Sequence, residues 1–194
     1  MARDWWIPIV KSALWGVAMA LVMGWVARSR FGTRADIDAR TLAHPVSTLV
    51  TGIAGVALFG GIAVISNSIG KNQTTTMWTT LAFLAFALAS VPMIADYYFA
   101  RHRVSERGMD YGRMFGQRGT FCWSEVQRVR YASAMKWFAI DLRSGSTIRV
   151  SAMLMGLPDF ARILLAHVPR SVIDDDTYAL LLETEQGRPP RVWG

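Results

Sequence analysis

Three stretches of mainly apolar residues dominate the first hundred positions of this 194-residue chain. Each is about as long as the roughly 20 residues a helix needs to cross a bilayer. They run from about Trp5 to Ala27, from Val46 to Ser66 and from Met77 to Ala100. Lipid offers no hydrogen bonds to an open backbone, so each stretch is expected as a transmembrane helix. Trp5, Trp6, Trp25, Trp78, Tyr97 and Tyr98 lie near the expected ends, where an amphipathic ring sits at headgroup level. A soluble three-helix bundle would need polar faces at helical spacing, and the second stretch has almost none. A cleaved signal peptide fits the first stretch poorly: Asp4 offsets Arg3, and no small-x-small site precedes Arg28.

Charge sets the expected orientation. The loop after the first stretch carries Arg28, Arg30, Arg34 and Arg40, and Arg101, Arg103 and Arg107 follow the third; the loop from Asn67 to Thr76 has only Lys71. Short Lys/Arg-rich loops stay in the cytoplasm. The N-terminus is therefore expected outside, with the first loop and everything after residue 100 inside. An odd number of spans agrees.

Small residues recur within the first stretch at Ser12, Gly16, Ala20 and Gly24, which puts them on one helix face where a second backbone can approach. That face is expected to pack, within the chain or between chains, joined by Ala57 and Gly61 in the second stretch and Ala85 and Ala89 in the third. Lys11 and Asp96 are the ionisable groups inside the stretches. Both are close to an end, so snorkelling for Lys11 and pairing with Arg101 or Arg103 for Asp96 are expected in place of transport. Pro92 predicts a kink.

From Arg101 the pattern changes. The first hundred residues hold 7 of the 21 basic and 4 of the 14 acidic residues, so the second half is the water-soluble one. Alternation predicts short strands over His102–Ser105, Met109–Tyr111, Thr120–Trp123, Val126–Ala132, Trp137–Leu142 and Thr147–Ser151. Ser144-Gly145 supplies a hairpin turn. Pro158 and Asp159 open a helix whose apolar residues Phe160, Ile163, Leu164 and Val168 share a face, closed by Pro169. Asp174, Asp175 and Asp176 suit the start of a helix over Thr177–Leu182.

These residues carry a resemblance. Arg-Val-Ser-Glu-Arg-Gly from Arg103, Phe-Cys-Trp-Ser-Glu-Val from Phe121, and Asp-Leu-Arg-Ser-Gly-Ser-Thr-Ile from Asp141 are similar to the bacterial pleckstrin-homology-like (PH-like) domains attached to short transmembrane-helix bundles. The likeness covers about Arg101 to Pro169. It implies an antiparallel sheet or partial barrel capped by a helix, with Trp123 in the core and Gly145 in a turn. It brings no catalytic residue with it.

Motifs for chemistry are sparse. Asp36, Asp38 and His44 share a loop with four arginines, and His102 and His167 are far from them in sequence, so no convergent metal set is expected. Cys122 beside Trp123 reads as a small apolar filler. No phosphate-binding glycine loop or nucleophile elbow occurs, and neither a catalytic site nor a cofactor is expected. The remaining signal is basic: Arg101 to Val150 holds ten basic residues against four acidic ones. Arg128, Arg130 and Arg149 alternate with Val129, Tyr131, Ile148 and Val150 and are expected on a solvent face. They would meet the anionic inner leaflet or a protein partner, not nucleic acid.

The expectation is thus a bacterial inner-membrane protein: a three-helix membrane domain over 1–100, a cytoplasmic PH-like α+β domain over 101–169, and a tail with a short helix over 170–194. A non-enzymatic binding or scaffold role fits it best, with membrane lipids, another membrane protein or a second copy as partner. The competing class is a subunit or assembly factor of a larger membrane complex, photosynthetic or respiratory; a small transporter is a third.

Overall fold

A computed structural model of the chain describes residues 6–32, 38, 40–68, 76–112 and 116–191, with side chains from residue 9. The three apolar stretches form long helices, α1 (Trp6–Ser29), α2 (Val46–Ser68) and α3 (Met77–Phe99). All are long and apolar enough to cross a membrane. Of the exposed large hydrophobic side chains, all but Phe31, Met135 and Leu182 belong to these helices. That is the surface a lipid phase would cover. Trp5, Arg34, Asp36, Lys71 and Arg113 lie outside the described residues.

Helices α2 and α3 pack together, and glycines set their approach. A Cβ at Gly52 would come within 2.8 Å of Ile94 Cγ1, and one at Gly55 would overlap Ser90. Phe59 stacks between Phe83 and Phe86, with ring centroids 6.5 and 5.2 Å away, and Asn67 Nδ2 donates to Thr80 Oγ1 at 3.0 Å. Thr76 starts α3 as its N-cap, accepting from the Thr79 N–H at 3.3 Å. Pro92 lies inside α3. Within the chain, the face expected at Ser12, Gly16, Ala20 and Gly24 is not the one that packs, and it stays uncovered for packing between chains. No atom lies within 4 Å of where a Cβ would be on Gly16, Gly24 or Gly61, and Ser12, Gly16 and Ala20 are exposed. The close approach uses Gly52 and Gly55 because the short connection between α2 and α3 brings those two helices together.

Beyond the helices is a small domain of two antiparallel sheets. One has the order β1 (Thr41–Leu42), β2 (His102–Val104), β3 (Gly108–Gly112), β4 (Arg118–Cys122); the other runs β5 (Val126–Ala132), β6 (Trp137–Leu142), β7 (Thr147–Ser151). Helices α4 (Leu157–His167) and α5 (Asp175–Glu185) follow. Period-2 alternation turns Phe138, Ile140, Leu142, Ile148 and Val150 into one core with Phe160 and Leu164 of α4. Trp123, in a 3-10 turn between the sheets, is only 3% exposed, meets Phe121 edge-on at 5.5 Å and donates Nε1–H to the Ser105 carbonyl at 2.9 Å.

This domain draws on residues either side of the expected 101–169. Strand β1 comes from the loop between α1 and α2, pairing Thr41 with Arg103 and Leu42 with His102. Leu181 of α5 is fully buried in the core and Ile173 nearly so. Arg30, just past α1, donates from Nη1 to the carbonyls of Ala152 (3.1 Å) and Pro190 (2.7 Å). Strand β1 and Arg30 thus tie the segment after α1 to the sheet domain, in addition to the direct connection from α3 to β2.

Candidate functional site: a cleft where the helices meet the sheets

The three arginines expected on a solvent face are all exposed, but they do not form one free basic patch. Arg128 is held by Asp174 through two hydrogen bonds of 2.9 Å, from Nε to Oδ1 and from Nη2 to Oδ2. This bidentate pairing raises the guanidinium pKa. Arg130 Nε pairs with Asp141 at 3.3 Å. Arg149 lies 5.2 Å over the Trp137 ring, and no carboxylate among the described residues is in ion-pair range of it. Of the three exposed arginines, two are thus held in internal ion pairs, and Arg149 alone has no carboxylate in range among the described residues. In the first loop, Arg30 is spent on the two carbonyls and Arg40 approaches Glu106 at 3.9 Å, while Arg103 of β2 meets Asp38 of that loop at 3.5 Å, not Asp96.

Other expectations shift in the same way. Cys122 is exposed, because strand alternation that buries Phe121 turns its neighbour outward; it is no core filler. Asp174, Asp175 and Asp176 do open α5 as expected, with Asp174 at the N-cap position, but the Asp174 carboxylate makes no cap hydrogen bond and goes to Arg128. Among the described residues, no group of three or more His, Cys, Asp or Glu converges to hold a metal.

What the structure brings together instead is a cleft of about 660 Å³ at the foot of α3. Its floor is Asp96 and Ala100, one wall is His44 and His102 with the end of β3, and the other is β6–β7 with Trp137, Thr147 and Arg149. Both histidines are held neutral. His102 is 6% exposed, and burial, together with nearby His44, pushes its pKa down to about 4. The Gly112 N–H donates to His102 Nδ1 at 3.3 Å, so the ring proton resides on Nε2. His44 is pushed down to about 4 by burial alone. Beside the two neutral imidazoles, the described lining carries the guanidinium of Arg149 and the carboxyl group of Asp96.

Comparison with family models, curated proteins and solved structures gives no match for the chain. The cleft must be understood from its own geometry.

That geometry is defined by sheet edges, which unlike sheet faces offer backbone hydrogen bonds. Two of the four edges are covered. Beyond β1, the Met155 N–H donates to the Ala43 carbonyl at 2.9 Å. Beyond β5, the Asp174 N–H donates to the Val129 carbonyl at 3.1 Å and the Tyr131 N–H to Thr177 Oγ1 at 2.8 Å. Among the described residues, no strand pairs with the outer edges of β4 and β7, and β7 is a wall of the cleft. Sequence reading missed this site. His102 and Trp137 were legible as strand residues, but nothing local tells that His44, 58 positions earlier than His102, folds onto the same wall.

Proposed function

We propose that the chain is a non-enzymatic docking protein of a bacterial inner membrane, with its N-terminus outside and its sheet domain, a PH-like module, on the cytoplasmic side. Support for the PH-like reading comes from the four-plus-three strand arrangement followed by a helix, the buried Trp123, and Gly145 in a turn at φ +83°. The observation that carries the docking reading is the internal pairing of Arg128 with Asp174 and Arg130 with Asp141. It neutralises two of the three strand arginines that an anionic leaflet would attract, while the domain stays fixed beside the membrane through β1 and Arg30. A domain so held gains little from binding lipid again and is suited to holding another chain at a set height. A role as a subunit of a larger complex is the second reading, favoured by the uncovered small-residue face of α1 at Gly16 and Gly24.

The test is hydrogen exchange on the full chain reconstituted in phosphatidylcholine vesicles and in phosphatidylglycerol vesicles. Docking of protein predicts the same protection of β5 to β7 in both. Protection that appears only on phosphatidylglycerol and fades with salt would assign the domain to the lipid surface.

A further inference from the structure

We propose that the open edge of β7 takes an extended, carboxylate-bearing segment of a second membrane protein as an added strand. The proposal rests on the docking reading above and specifies its site. The phase of the ladder is fixed by two bonds of 2.8 Å, Leu142 N–H to the Ser146 carbonyl and Ala152 N–H to the Lys136 carbonyl. In an antiparallel ladder, hydrogen-bonded and non-hydrogen-bonded pairs alternate. The pairs 140/148 and 138/150 therefore exchange hydrogen bonds, and Thr147, Arg149 and Ser151 turn their backbone groups away from β6. Of these, the Ser151 carbonyl is taken by the Leu154 N–H at 3.2 Å. Three N–H groups and two carbonyls are left at alternate positions, the register an extended chain matches.

Side chains define the occupant. A residue opposite Arg149 on an added strand would lie on the same sheet face, and Arg149 is the arginine of the three with no acidic partner among the described residues. A carboxylate there completes the pattern that Asp174 and Asp141 set for Arg128 and Arg130. The cleft's described lining supplies one cation, Arg149, with two neutral histidines and the Asp96 carboxyl group. That suits a neutral backbone with one acidic side chain better than a phosphate. Because Asp96 and Ala100 form the floor at the end of α3, the bound segment would run next to the membrane surface, within reach of a partner that is itself membrane-bound.

The test uses the full chain in its native membrane, with a photo-crosslinking residue at the exposed Ser146 at the start of the edge, and maps the attached peptide by mass spectrometry. Two substitutions discriminate. Thr147→Pro removes one outward N–H while leaving the ladder bonds of Ile148 and Val150 intact, with Thr147→Val as the control for the lost Oγ1 bond to Asp141, and Arg149→Glu reverses the charge; denaturant unfolding checks that each variant is folded. The proposal predicts attachment to a stretch of another membrane protein that contains Asp or Glu, with yield reduced at least tenfold in both variants and kept in Arg149→Lys. A complex that co-purifies as before with folded Thr147→Pro and Arg149→Glu variants would overturn the β7 edge yet leave the docking reading standing. Attachment only to lipid, or only to a second copy of this chain, would overturn the proposal. Absence of any co-purifying protein would overturn both.

Discussion

Lowering the pH should loosen the sheet domain where it joins the helices, through His102. Its imidazole is buried and neutral in the folded chain with a pKa of about 4, against 6.5 for an ordinary histidine. A folded-state pKa below the unfolded one means that the unfolded chain binds the proton first. The stabilisation is therefore complete above about pH 6.5 and is lost as pH falls towards about 4. Linkage gives a loss of about 2 kcal/mol at about pH 5 and about 3 kcal/mol below about pH 4. His44 adds to the loss with the same sign. The Gly112 N–H bond to Nδ1 supplies the structural readout, since a protonated Nδ1 cannot accept it. Denaturant unfolding of the full chain in a neutral detergent, with hydrogen exchange at Gly112, measures both. His102→Asn keeps an acceptor near the Nδ1 position and does not titrate, so its pH slope should be flatter than that of the parent. Equal slopes for the two chains, or stability that rises on acidification, would refute the reasoning.

Trp123→Ala should destabilise the sheet domain by about 3–5 kcal/mol, since a nearly fully buried indole leaves a cavity and the Ser105 carbonyl loses its donor; an unchanged denaturant midpoint would contradict the packing. Gly55→Leu should push α2 from α3 and lower thermal stability in detergent, whereas Gly16→Leu, with open space around it, should leave the isolated chain's melting unchanged. A reporter active only in the cytoplasm should give signal when fused after Gly194 and none within Asn67–Thr76, and the reverse pattern would invert the proposed orientation.

Strands β5, β6 and β7 were legible to the residue, because runs of β-branched and aromatic residues with a largely alternating pattern are a strong local signal and Ser144-Gly145 marks the turn between β6 and β7. The spans were legible for a related reason: length and apolarity suffice to define them. Strand β1 was not. Two residues in a charged loop, Thr41 and Leu42, become a strand only because β2 offers an edge, a fact of tertiary structure. The fate of the arginines was hidden likewise, since Asp174 lies 46 positions from Arg128, and alternation reveals the face of a side chain but not its partner. The four-residue spacing from Ser12 to Gly24 marks a helix that another backbone could approach. It does not say which helix does so, and here Gly52 and Gly55 make the contact.

The central claim, that this membrane-anchored domain docks protein and not lipid, is tested most directly by native mass spectrometry of the full chain released from its own membrane in mild detergent. The account predicts a complex of fixed stoichiometry with a second polypeptide that persists when anionic lipid is exchanged for phosphatidylcholine. A monomer that carries only anionic lipid, and loses it as salt is raised, would contradict it.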